Sequence, residues 1–221
     1  MTHNELLQYY PRIYHMAEAG TWPSILKHGL LSTTALLDLF EVPAAQRKQI
    51  ESTHRPECVT ISHPVHGSAV IRDQKPMRES TLLNCLDGME PFQWYELLNL
   101  RTFFWLTPER LAKLLNARAY RGRAHCVITV DTAALLSRHE SRITLSPINS
   151  GSTIYDPPPR GVNTFHKIED YPFQQRRRTR GKQGAVAELV VDYSVPDIRN
   201  IAVLVEHRHQ NTVLKRIWER T

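Results

Sequence analysis

One glutamate set into an apolar strand is the residue of this chain best suited to chemistry. Glu188 sits in Gly184-Ala185-Val186-Ala187-Glu188-Leu189-Val190-Val191-Asp192, and the segment ahead of it, Arg176-Arg177-Arg178-Thr179-Arg180-Gly181-Lys182, is the most basic in the chain. A fixed carboxylate stabilises developing positive charge or moves a proton, and a cationic lead-in binds phosphates. Simple alternation turns Ala187 and Leu189 inward and leaves Glu188 as an exposed acid on an edge strand. Taken alone, that plainer reading leads.

Other residues could share a site with it. His15, in Tyr14-His15-Met16-Ala17, lies on a strand just before a turn into a helix, although an isolated strand histidine is more often simply half-buried. Arg72, in Ile71-Arg72-Asp73, ends a strand, where a local salt bridge to Asp73 competes with a grip on a ligand phosphate or carboxylate. His63-x-x-His66 and His207-x-His209 lack third and fourth ligands at metal-site spacing, so no metal is expected. Neither GxGxxG nor GxxxxGK[ST] occurs. Ser150-Gly151-Ser152 lacks the strand-to-helix context of a nucleophile elbow.

The elements that would position these residues follow from pattern. Residues 12–17 read as a strand, and Thr21 caps a helix with Pro23 in its first turn and Gly29 at its end. Residues 33–53 read as helical, and 58–62 with 69–72 as a hairpin. Two helical pieces span 80–100, a strand covers 101–106, and Thr107-Pro108 starts a helix. Strands are expected at 125–131, 141–146, 186–191 and 201–205, with a helix over 132–138. Residues 149–161 form a proline-stiffened loop long enough to carry function, Arg176 to Gln183 a second loop, and 206–221 a polar, partly helical tail.

The 221 residues, 41% hydrophobic and 23% charged, fit one folded domain over 1–221. The net charge of +6 is compatible with an anionic partner without identifying one. Three cysteines without a CxxC pair argue against a disulfide framework and fit a reducing cytoplasm. No signal peptide or membrane-spanning run is expected.

Three blocks carry a family resemblance. Tyr14-His15-Met16-Ala17 with Trp22-Pro23-Ser24-Ile25-Leu26-Lys27-His28-Gly29-Leu30-Leu31-Ser32, then Phe103-Phe104-Trp105, then Ala187-Glu188-Leu189-Val190 with Val195-Pro196 and Ile201, occur in the order found in DarT-like ADP-ribosyltransferases. The chain resembles that family over these blocks, while residues 54–98 and 139–170 have no counterpart. An arginine follows the aromatic strand in that family, and here Arg110 matches to within one residue.

The resemblance implies an α+β fold with an ADP-ribosyltransferase-like split mixed β-sheet core and peripheral helices, and NAD as ADP-ribose donor. It implies Glu188 as the catalytic carboxylate, with His15, Tyr14, Phe104, Trp105, Arg110 and Arg72 as NAD-binding candidates. Because the loop before the catalytic glutamate selects the target in such enzymes, Arg176, Arg177, Arg178, Arg180 and Lys182 imply a nucleic acid, single-stranded DNA or RNA. A toxin or phage-defence role with an antitoxin partner follows from the same resemblance. The alternatives are a protein or small-molecule acceptor, or an inactive nucleotide- or nucleic-acid-binding module. An RNA 2′-phosphotransferase-like use of NAD is disfavoured for want of a matching Arg and His cluster.

Overall fold

The structure, a computed structural model, describes residues 1–220. Thr2 and Glu5 close a capping box that starts α1 (His3–Tyr9), and β1 (Arg12–Glu18) follows. In α2 (Trp22–His28) Pro23 occupies the first turn, but Thr21 makes no side-chain cap. Its hydroxyl donates back to the Glu18 carbonyl instead. After β2 (Leu30–Leu31), the helical stretch expected over 33–53 proves to be two helices, α3 (Thr33–Leu39) and α4 (Ala44–Ser52). Glu41 takes a left-handed φ of 49° between them, and Pro43 has no N–H with which to continue α3.

The expected hairpin forms from β3 (Val59–His63) and β4 (Gly67–Ile71), in register from Val59↔Ile71 to His63↔Gly67. Next come α5 (Glu79–Cys85), α6 (Pro91–Asn99), β5 (Arg101–Trp105) and α7 (Pro108–Leu115), the last capped by Thr107 as its sequence implies. β6 (Ala124–Asp131), α8 (Thr132–His139) and β7 (Ile143–Ser146) follow, and then the proline-rich loop. Arg176 to Gln183 is not a loop. It lies within α9 (Phe173–Ala185), because Gln, Arg and Lys are good helix formers and only Gly181, at φ 68°, kinks the run.

The chain ends with β8 (Glu188–Asp192), β9 (Ser194–Val195), α10 (Ile198–Ile201), β10 (Ala202–His209) and β11 (Thr212–Glu219). The tail is therefore a β-ribbon rather than partly helical. Register shifts at Val205/Glu206 and His207/Arg208 interrupt the alternation that would have revealed it.

These elements make an α+β fold in which peripheral helices surround a seven-stranded sheet of order β11-β10-β6-β1-β5-β8-β7. Every pairing in it is antiparallel, so the sheet is not mixed; no crossover sets two parallel strands side by side. The main core gathers Ile13, Phe104, Ile128, Leu135, Leu189 and Val205, and a smaller one, with Leu37, Phe40, Ile61 and Ile71, lies beneath the β3–β4 hairpin. No helix among the described residues is long and apolar enough to cross a membrane.

Where α2 ends, the chain must pass against the segment after β9. Gly29 has a φ of 87°, and a Cβ placed there would lie 2.6 Å from the Pro196 Cα. Gly29→Ala is therefore expected to destabilise the fold by about 2–3 kcal/mol through left-handed strain plus a backbone clash. Urea unfolding of the two proteins measures this.

Candidate active site

β1 runs alongside β6 over its whole length, from Arg12↔Asp131 to Glu18↔His125, yet it meets β5 at one residue pair, Tyr14↔Trp105. Beyond that pair β1 and β5 part. Across the opening the His15 ring approaches the Phe103 carbonyl, Nδ1 to O, at 2.9 Å. A cavity of about 550 Å³ lies here, within the range of small-ligand pockets of roughly 300–1,000 Å³. Its walls come from β1, α2, α3, the β3–β4 hairpin, β5 and the loop around Ser150, and His15, Arg72, Phe103, Trp105 and Glu188 all reach it.

Glu188 opens β8, where it pairs with Trp105 on one side and Ser146 on the other. It is 3% exposed, not the exposed edge acid that alternation suggested, because β8 has β5 and β7 as neighbours and the Ser150 loop covers its first residue. Ser150 donates from its backbone N to both carboxylate oxygens at 3.2 Å, and from Oγ to Oε2 at 2.7 Å. Burial pushes the carboxyl up to about 7 despite these bonds and the charges of Arg110 and Arg160, which act in the opposite direction.

The other buried glutamate sets this one apart. Glu206, also 3% exposed, is held by Arg208 at 2.7 Å and Arg216 at 3.8 Å. Glu188 contacts only neutral donors, so its ionisation responds to whatever enters the cavity.

Burial pulls His15 down to about 4, which keeps the ring neutral near pH 7. With Nδ1–H given to the Phe103 carbonyl, Nε2 is left as a hydrogen-bond acceptor on a side chain that lines the cavity. Arg72 and Asp73 do not pair with each other. Arg72 lies over the Tyr120 ring at 5.1 Å, with NH1 3.4 Å from His125 Nδ1 and 3.9 Å from Glu18, and its buried NH2 has no partner. Asp73 turns to Arg123 at 3.1 Å. A cation on the cavity wall suits an anionic ligand group.

Three expected ligand contacts lie elsewhere. Phe104 is fully buried in the main core, since period-two alternation along β5 turns Phe103 and Trp105 to the cavity and Phe104 away from it. Tyr14 packs beside Leu111 and Leu115 of α7. Arg110 binds the carbonyls of Gln183 and Gly184 at 3.2 and 3.4 Å, tying α7 to the end of α9.

The basic run also divides. Arg176 holds the Ala185 and Pro147 carbonyls at 3.0 and 2.9 Å, and Arg177 lies 4.9 Å over the Tyr9 ring. Arg178, Arg180 and Lys182 are exposed, and no α9 residue lines the cavity.

Two residues were not anticipated from sequence, Ser150 and Arg160. Arg160 is 2% exposed, and its NH1 donates to the carbonyls of Ser150 and Ser152 at 3.1 and 2.8 Å. The length and proline content of residues 149–161 marked the loop, but nothing in its composition marked these side chains. Among the described residues, no group of three or more His, Cys, Asp or Glu side chains is placed to hold a metal ion.

A family model matches residues 11–202. The chain belongs to DUF7002, a family of unknown function. The DUF7002 match opens one residue before β1 and closes as β10 begins, so it contains every cavity residue named above and leaves out α1 and β11. No curated protein and no solved structure matches the chain.

The raised Glu188 pKa has a consequence for stability. A carboxyl that binds its proton more tightly when folded contributes stability that is complete below the usual carboxylate range and is lost as pH rises through about 7. Glu188→Gln is therefore expected to gain about 2–3 kcal/mol over the parent protein at pH 8.5 and less than about 1 kcal/mol at pH 5. Urea titrations at the two pH values test the difference.

Proposed function

We propose that this protein is an NAD-dependent ADP-ribosyltransferase with an ADP-ribosyltransferase-like split sheet, and that it modifies a nucleic-acid base. The observation that carries the reading is the meeting of a buried, charge-unpaired carboxylate and a neutral histidine in one cavity at the opening between β1 and β5.

The residues fit the donor's chemistry. Loss of nicotinamide from NAD passes through an oxocarbenium-like state, which a fixed carboxylate such as Glu188 stabilises. A cationic ribosyl–nicotinamide group beside Glu188 also favours its ionised form over the acid. His15 Nε2 accepts from a ribose hydroxyl, Trp105 offers a flat apolar surface for the nicotinamide ring, and the Arg72 cation on the cavity wall suits the diphosphate.

Support for a nucleic-acid acceptor comes from charge. Arg178, Arg180 and Lys182 are exposed on α9, and the chain passes from α9 into the strand that carries Glu188. A second reading, transfer to a protein or small molecule, draws on the engagement of Arg176 and Arg177 within the fold and on the absence of α9 from the cavity wall.

Incubation with NAD labelled in its adenosine half, together with single-stranded DNA, RNA or lysate protein, separates these readings. The expected result is nicotinamide release with label on nucleic acid, reduced at least about a hundredfold in Glu188→Gln. Label on protein that survives nuclease supports the second reading. NAD left intact by the parent protein removes the enzyme reading altogether.

A further inference from the structure

The loop over residues 147–161 reaches Glu188 through one side chain. Ser150, fully buried, spends both its backbone N–H and its hydroxyl on the carboxylate. Its carbonyl is taken by Arg160, which holds the Ser152 carbonyl as well. Arg160 is itself fixed by its backbone, with its N–H on the Cys85 carbonyl and its carbonyl receiving the Asp87 N–H, both at 2.8 Å. A continuous chain of hydrogen bonds thus runs from the end of α5, through Arg160 and Ser150, to the carboxylate.

We propose that Ser150 is a positioning residue that holds the Glu188 carboxylate toward the cavity and favours its ionised form, and that Arg160 is the clamp that keeps Ser150 there. The inference rests on the reading of Glu188 as the working carboxylate.

The arrangement costs more than loop anchoring requires. Arg160 is a buried cation bound to neutral carbonyls, with NH2 lacking any partner, and burial holds its pKa below the usual guanidinium value. An apolar side chain would fill that space without the desolvation cost. What guanidinium adds is a donor that grips two carbonyls of one turn, and a positive charge near Glu188. Arg110 on α7 supplies the other nearby charge, but its donors go to the carbonyls of Gln183 and Gly184. His15, across the cavity on β1, is neutral. Ser150 therefore makes the direct contacts that favour the carboxylate form.

Carbon-13 NMR titration of the Glu188 carboxyl, assigned with Glu188→Gln, tests this without turnover. In Ser150→Ala, which loses the hydroxyl and keeps the backbone donor, the midpoint is expected to move up by about one pH unit, as for loss of one hydrogen bond to a charged group. Arg160→Lys keeps the charge but not the two-carbonyl grip, and is expected to move the midpoint the same way by a smaller amount. Unfolding midpoints confirm that each variant is folded at the temperature of the titration. Midpoints unchanged in both folded variants overturn the proposal, whatever happens to stability, because a merely structural loop would lower stability alone. NAD cleavage is read in parallel: in Ser150→Ala its rise with pH is expected to follow the displaced midpoint. If the parent protein leaves NAD intact, the proposed function falls while the titration still decides the role of Ser150.

Discussion

The parting of β1 and β5 after a single residue pair is the constraint on which the site depends. A continuous sheet satisfies backbone groups strand to strand, and an opening within it leaves groups that must find partners elsewhere. Here a side chain fills that role, as His15 bridges to the Phe103 carbonyl. The same contact fixes the ring's orientation and tautomer, while burial, acting against that hydrogen bond, keeps the ring neutral. The opening survives because the cores on either side of it are separately filled. Phe104, Ile128 and Leu189 pack in the main core, and Leu37, Ile61 and Ile71 support the hairpin that walls the cavity.

Two buried glutamates show how differently one fold can treat the same side chain. Glu206 lies between β6 and β11 and is neutralised by arginines from its own strand and the next, as expected of a buried charge retained for structure. Glu188 lies on β8, next to the opposite edge strand of the same sheet, and is given hydrogen-bond donors but no direct counter-charge. The outcome is a carboxyl whose two protonation states are close in free energy near neutral pH. Such a group is costly to keep when ionised, and the cost falls when a cation occupies the space in front of it.

Much of this was legible in the sequence where local rules decide. The strand–turn–helix path around His15, the β3–β4 hairpin, the Thr107 cap and the β6 strand rest on short-range pattern, and they fold as pattern implies. Glu188 stood out because an acid within Ala-Val-Ala-Glu-Leu-Val-Val is chemically odd, yet its burial depended on a loop that begins some forty residues earlier. Ser150, set aside as a nucleophile, and Arg160 were not placed at the site for the same reason, since their importance is tertiary and neither belongs to a motif. Phe104 and Trp105 are neighbours that sequence could not separate, and one step of strand alternation assigns them to core and cavity. The basic run misled in a different way: charge density suggested a solvated loop, whereas the helix propensity of its Gln, Arg and Lys residues pointed to α9.

The fate of that run bears on what its charge can do. Arg176 fastens α9 to Ala185 and Pro147, and Arg177 and Lys182 lie over Tyr9 of α1, so part of the positive charge holds the helix to the body of the protein. The exposed cations of α9, none of which lines the cavity, are suited to attracting a polyanion to the adjoining surface. Selectivity for a particular base would then have to come from the cavity, where Arg72, His15 and Trp105 are, rather than from α9. Under the proposed function, charge on the helix and shape in the cavity would be separate layers of recognition, and a polyanion held on α9 would be modified only where one of its bases enters the opening between β1 and β5.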